Sequence, residues 1–179
     1  MNILFLDMDY AGANSKELIS NWLSDKRKQG FSKAESEKQY MDNFCGGLEA
    51  IFPEKATLVK KIIDSTGAKI VWSTDWRKYY PYKRNIESAR EMLNRYNMCG
   101  DSLIGYTPDF GNYSFRGDEI KEYILTAKEN GDSIGKCAVL DDRDDAGFNL
   151  PEGCEFFQTN PLYGITEEIA DAIINYFNE

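Results

Sequence analysis

The sequence contains no histidine. That one absence removes Ser-His-Asp and Cys-His catalysis, histidine general bases and histidine metal ligands together. Chemistry in this chain has to run on carboxylates, hydroxyls, lysine, arginine, tyrosine or cysteine. The four cysteines, Cys45, Cys99, Cys137 and Cys154, are scattered without CxxC spacing. They read as free thiols in a reducing cytoplasm and not as a disulfide or zinc framework. No apolar run approaches the roughly 18–20 residues that a bilayer span needs. The opening MNILFLDMD has neither the basic n-region nor the long h-region of a secretory signal, so a cytoplasmic setting without a membrane partner is expected. A basic surplus is lacking too: 30 Asp and Glu face 21 Lys and Arg, a net charge of −9. Binding along extended nucleic acid needs a basic face and is not expected. A local basic site for one phosphate or a strand end stays open.

What is present fits one domain over residues 1–179. Short β-rich apolar runs alternate with longer helical patterns. Strands are expected at 3–6, 69–72, 102–106, 137–140 and 155–158. Helices are expected at 15–28, 33–43, 54–65, 85–97, 116–129 and 167–177. Thr166, followed by Glu167 and Glu168, marks a helix N-terminus. This alternation predicts an α/β, Rossmann-like fold, with a mainly parallel sheet and helices on both faces. The stretch from Asp7 to Ser73 exceeds what one crossover requires. A small helical cap inserted after strand 1, within 12–54 and centred on the polar run 24–43, would account for the excess; a solvated helical hairpin is the alternative.

Polar residues collect where three of these strands end. Strand 3–6 runs into Asp7-Met8-Asp9, strand 69–72 into Ser73-Thr74-Asp75, and strand 137–140 into Asp141-Asp142-Arg143-Asp144-Asp145. In an open parallel sheet the ligand crevice lies beyond the carboxyl ends of the strands. Any one of these aspartates is explained by helix capping or turn formation. Three sets at neighbouring strand ends are not. Carboxylates brought together there repel unless a cation neutralises them, and clustered oxygen ligands suit Mg²⁺.

FLDMD, VWSTDWR, an Arg before a helix and AVLDD resemble the four motifs of haloacid dehalogenase-like (HAD) phosphohydrolases. The resemblance is closer to the HAD domain of "Swiss Army Knife" RNA-repair proteins. It extends through S-T-D-W-R at 73–77 after the second strand, I-G-x-T-P at 104–108, R-G-x-E-I at 116–120 and Y-G-[IL]-T at 163–166. The Leu-Asp-Asp-Arg at 140–143 is also similar to the phosphatase domain of polynucleotide kinase-phosphatases. The resemblance implies a Mg²⁺-dependent phosphatase working through an aspartyl-phosphate. It implies Asp7 as nucleophile and Asp9 as general acid and then base, with a backbone carbonyl toward the metal. Ser73 and Thr74 would meet the phosphoryl oxygens, and Arg116 would be the phosphate-binding cation, with Lys121 as the alternative. Asp142, with Asp141 beside it, would complete a metal site shared with Asp7 and Asp9. Asp145 is left between a supporting role and capping the following turn. Where the family continues its first motif with Gly, this chain has Tyr10-Ala11.

After the second motif comes Trp76-Arg77-Lys78-Tyr79-Tyr80-Pro81-Tyr82-Lys83-Arg84, where cations and aromatics alternate. Such a surface suits a phosphate tail and a stacked base; packing of Trp76 and some tyrosines under the cap is the alternative. Arg77, part of the S-T-D-W-R match at 73–77, is expected to face the site. The expected partner is therefore a small phosphorylated substrate, a nucleotide or a nucleic-acid terminal phosphate. A sugar-phosphate phosphatase and a non-catalytic module binding a phospho-ligand are the competing readings. A flavodoxin-like phosphoacceptor regulator is disfavoured, because no lysine follows the strand ending at Gln158-Thr159.

Overall fold

The computed structural model describes residues 1–8, 16–36, 53–78, 81–83, 85–111, 114–161 and 163–179. In chain order the elements are strand β1 (Ile3–Leu6), helix α1 (Lys16–Lys28), α2 (Pro53–Thr66), β2 (Lys69–Trp72), α3 (Ile86–Arg95), β3 (Leu103–Tyr106), α4 (Arg116–Glu129), β4 (Cys137–Asp141), β5 (Cys154–Gln158) and α5 (Glu167–Asn178). A further helical turn covers 33–36. All five expected strands form, three of them with ends shifted by one residue. Of the expected cap within 12–54, residues 16–36 and 53–54 are described, as α1, the turn at 33–36 and the start of α2, and residues 12–15 and 37–52 lie outside the described residues.

The sheet is parallel throughout, in the order β3-β2-β1-β4-β5. Its first three strands step one way and its last two the other, so the order reverses between β1 and β4. That reversal is where an open α/β sheet leaves a crevice. Both faces of the central strands are covered, which is why they read as continuous apolar runs. Leu4, Leu6, Ile70, Trp72, Ala138 and Leu140 pack on one face with residues of α2, α3 and α5. Ile3, Phe5, Val71, Cys137 and Val139 pack on the other with Ile120 and Ile124 of α4. Each wholly buried Leu or Ile contributes roughly 1.5–3 kcal/mol of transfer free energy, so these two layers set the pose of every strand end.

Local signals place the helices. Thr166 caps α5, its Oγ1 accepting from the Ile169 N–H at 3.4 Å, as its position before two glutamates predicts. Asn85 caps α3 in the same way through Ser88, at 3.2 Å. No helix among the described residues is long and apolar enough to cross a membrane. Cys99, Cys137 and Cys154 are free thiols.

One glycine is required by close approach. A Cβ on Gly117, in the first turn of α4, would lie 1.7 Å from the Phe148 carbonyl oxygen. Only hydrogen at this position lets the turn after β4 rest on the start of α4. Gly117→Ala forces that backbone apart, an overpacking cost of about 1–3 kcal/mol. The melting temperature is expected to fall by several degrees, given about 2–4 °C per kcal/mol in a chain of this size. An unchanged melting temperature would contradict the packing described.

Candidate active site

Backbone pairing continues one residue beyond the strands and fixes the first polar position of each. The Asp7 N–H donates to Leu140 O at 3.0 Å, Ser73 N–H to Leu6 O at 3.0 Å, and Thr159 N–H to Asp141 O at 3.0 Å. Side chains alternate along a strand. Asp7 therefore follows Ile3 and Phe5, Ser73 follows Val71, and Asp141 follows Cys137 and Val139, all toward the face covered by α4. Three polar groups are thus aligned across the switch point by register alone.

Ligand atoms of Asp7, Asp141 and Asp142 lie within 4.8 Å of one another. Asp7 and Asp141 are buried and Asp142 is half-buried. Asp9 and Tyr10 lie outside the described residues, so the placement of the second aspartate of the first motif rests on the sequence. Asp141 Oδ1 accepts the Arg143 N–H at 2.9 Å, whereas Oδ2 is buried without a hydrogen bond. Burial pushes the Asp141 carboxyl up to about 7, aided by neighbouring Asp142 and opposed by the Arg116 guanidinium and the Arg143 N–H. A group of oxygen donors, held close and short of positive charge, fits a hard divalent cation such as Mg²⁺.

Arg116, the first residue of α4, brings a cation to this cluster and is 4% exposed. Its Nε lies 3.7 Å from Asp141 Oδ2, its Nη2 3.5 Å from Asp75 Oδ1 and its Nη1 3.8 Å from Glu119 Oε2. Nη1 is buried with no hydrogen bond. Ser73 Oγ, from the strand beside Asp7, is also buried with no hydrogen bond. Beside the carboxylates, then, stand donors without an acceptor, the arrangement an oxyanion satisfies. Asp145 fixes the backbone of this corner: its Oδ2 accepts the Arg116 N–H at 2.9 Å and its carboxylate holds the Arg143 guanidinium at 2.8 and 2.9 Å. Lys121, the alternative cation, is exposed.

Arg77 and Thr74 also make hydrogen bonds within the fold. Arg77 is buried, and its guanidinium donates to Thr74 O, to Thr107 O at 3.1 Å, to Pro108 O at 3.2 Å and to Glu119 Oε2 at 2.6 Å. These bonds tie β2 to the loop after β3, and Arg77 also lines a cavity with Lys78, Lys83 and Tyr106. Thr74 Oγ1 accepts the Trp76 N–H at 3.4 Å, so its hydroxyl closes a local turn. Trp76 and Tyr82 are buried, stacked on each other and edge-on to Trp72. They belong to the core and not to a base-stacking surface. Glu119 is the site residue for which sequence reasoning named no role; the available signal was its place inside R-G-x-E-I, one helical turn after Arg116.

A cavity of about 160 Å³ opens beside Arg116, walled by Asp75, Lys78, Ser114 and Arg143. Lys78 also lines a second, neighbouring cavity of about 480 Å³ with Lys83, Tyr106, Thr107 and Pro108. Lys78 bridges Asp75 at 2.9 Å and Asp109 at 3.1 Å. Burial alone would raise Asp75, but its hydrogen bond from Lys78 and the charges of Arg116, Lys78 and Arg77 hold it below the usual range.

A parallel sheet in the order β3-β2-β1-β4-β5 with an acidic cluster at its switch point is a Rossmann-like α/β arrangement consistent with the haloacid dehalogenase-like class. A family model confirms the class and narrows it: residues 3–170 match the HAD domain in Swiss Army Knife RNA repair proteins, and the chain belongs to that family. It is accordingly a HAD-type phosphohydrolase in general class. Neither a curated protein nor a solved structure matches the chain.

The raised Asp141 pKa carries a sign. Between the ordinary value near 3.8 and about 7, the metal-free folded protein holds a proton that the unfolded chain has released. Stability from this group therefore falls as pH rises through that window and is level above it. Asp75 and Asp145, both held low, act in the opposite sense below it. The melting temperature of wild type relative to Asp141→Asn, in chelator, is expected to drop from pH 4 to pH 7. A difference that is flat or rises over that range would contradict the assignment.

Proposed function

We propose that this domain is a Mg²⁺-dependent phosphomonoesterase that works through an aspartyl-phosphate on Asp7. The observation carrying the proposal is the meeting of the Asp7–Asp141–Asp142 cluster with the unpartnered donors of Ser73 and Arg116. A bound Mg²⁺, held by Asp7, Asp141 and Asp142 with the Asp9 carbonyl, would neutralise charge on the phosphoryl oxygens. Asp7 Oδ attacks phosphorus while the ester P–O bond breaks, and Asp9 gives its proton to the departing oxygen. Ser73 Oγ and Arg116 bind the transferring phosphoryl oxygens, where charge accumulates. Water then attacks the phosphoryl group, Asp9 takes its proton, and inorganic phosphate leaves with Asp7 restored.

The substrate reading is a nucleotide or a terminal phosphate on a nucleic acid. The polar cavity beside Arg116 would take the phosphoryl group, with the leaving group extending toward its larger neighbour. The neighbouring larger cavity, entered at Lys78 and walled by Lys83, Tyr106 and Thr107, offers cations, hydroxyls and an aromatic wall. Those suit a sugar-phosphate unit of a nucleotide. The net charge of −9 favours a mononucleotide or a short end over a long duplex.

Phosphate release with Mg²⁺ from nucleotides, 3′- and 5′-phosphorylated oligonucleotides and sugar phosphates tests the proposal. Asp7→Asn is expected to lose activity on the order of 10³-fold or more, the scale of losing a covalent nucleophile. Arg116→Ala should lose about 10²–10³-fold. Unchanged Mg²⁺-dependent release in Asp7→Asn would sink the mechanism. Sugar phosphates turned over far faster than any nucleotide would sink the substrate reading. No release from any monoester would favour a phospho-ligand binding module. Mg²⁺ at about 100 times its dissociation constant should stabilise wild type by roughly 2.7 kcal/mol, and Asp142→Asn should remove most of that gain.

A further inference from the structure

Arg116 presents a problem of its own. Three carboxylates surround its guanidinium at 3.5–3.8 Å, yet it reaches them with one long hydrogen bond, from Nη2 to Asp75 Oδ1 at 3.5 Å, and no short ion pair. A buried guanidinium next to available carboxylates ordinarily collapses onto one. Collapse onto Asp141 would quench the acidic cluster. Glu119 stands beside this guanidinium with both of its own oxygens engaged elsewhere. Its Oε2 is taken by Arg77 Nη2 at 2.6 Å and its Oε1 by the Phe110 N–H at 3.2 Å. Arg77 is in turn held by the carbonyls of Thr74, Thr107 and Pro108. The Glu119 carboxylate cannot rotate to engage Arg116, but at 3.8 Å it supplies countercharge. All three side chains are at most 5% exposed, so the pairing acts in a poorly screened setting.

We propose that Glu119 is a positioning residue for phosphoryl binding. It balances the charge of Arg116 without consuming its donors, and through Phe110 it fixes the loop after β3 that borders both cavities. The inference rests on reading Arg116 as the phosphoryl-binding cation. It joins two motifs, S-T-D-W-R at 73–77 and R-G-x-E-I at 116–120, whose Arg77 and Glu119 meet in one ion pair. Without this carboxylate, Arg77 and Arg116 face each other as like charges and Arg116 turns to Asp141.

A double-mutant cycle tests this. Binding of inorganic phosphate in Mg²⁺ is measured calorimetrically for wild type, Glu119→Gln, Arg116→Ala and the double variant, alongside KM and kcat on a responsive phosphomonoester. Glu119→Gln is expected to weaken phosphate binding and raise KM about tenfold in the wild-type background, but by less than about twofold when Arg116 is already Ala. Equal penalties in the two backgrounds, or unaltered phosphate affinity in Glu119→Gln, would overturn the proposal. Should Glu119→Gln fail to give a cooperative melt, Glu119→Asp is the second arm. It keeps the charge but is one methylene shorter, so an affinity loss is expected, and wild-type affinity would overturn the proposal. Phosphate binding that follows this pattern in a protein without turnover would refute the phosphatase reading and leave the positioning role standing. A wild type that binds no phosphate would overturn both.

Discussion

Like charges pressed together in a buried place are the constraint on which the rest of this structure turns. Asp7 and Asp141 are delivered to adjacent strand ends by a ladder that extends past the strands, and Asp142 stands beside them. Two packed layers of apolar side chains hold that ladder, so the carboxylates cannot relax apart without dismantling the sheet. Everything near them answers the electrostatic debt: Arg116 at the head of α4, a cluster that suits a divalent cation, and a carboxyl pushed toward its protonated form when no cation is there.

The start of α4 shows how fold and site share residues. Asp145 accepts the first N–H of the helix and grips Arg143. Gly117 lets the β4 turn approach closely enough for that contact. Glu119 reaches from the same helix turn to Arg77 and to the loop after β3. An Arg-Gly-x-Glu sequence thereby sets a cation, a backbone contact and a countercharge within one helical turn, where spacing is rigid. Arg77, buried among carbonyls, ties the end of the second strand to the loop after the third.

Much of this was legible in the sequence because strong periodic signals carry it. The runs ILFL and KIVW and the helix at 116–129 have the same bounds in chain and structure, since burial on both sheet faces leaves an uninterrupted apolar signature. Asp7, Ser73 and the Asp141-Asp142 pair were visible as polar residues where apolar runs stop, and Arg116 was visible through the resemblance of its motif. Long-range partners were not visible. Nothing local says that Arg77 meets Glu119, 42 residues away, or that its donors go to carbonyls. Trp76 and Tyr82 look like a surface because they alternate with cations, yet the core beneath β2 takes their rings. Burial is a tertiary property, and a short mixed stretch does not encode it by period.

The central claim is that Asp7 becomes covalently phosphorylated during turnover. Rapid acid quench of enzyme mixed with Mg²⁺ and a responsive phosphomonoester, followed by peptide mass spectrometry, measures it directly. The account predicts a phosphoryl group on the peptide containing Asp7 in wild type, accumulating before steady state and absent from Asp7→Asn. Steady turnover with that peptide unmodified at every quench time, or with the phosphoryl group on another residue, would contradict it.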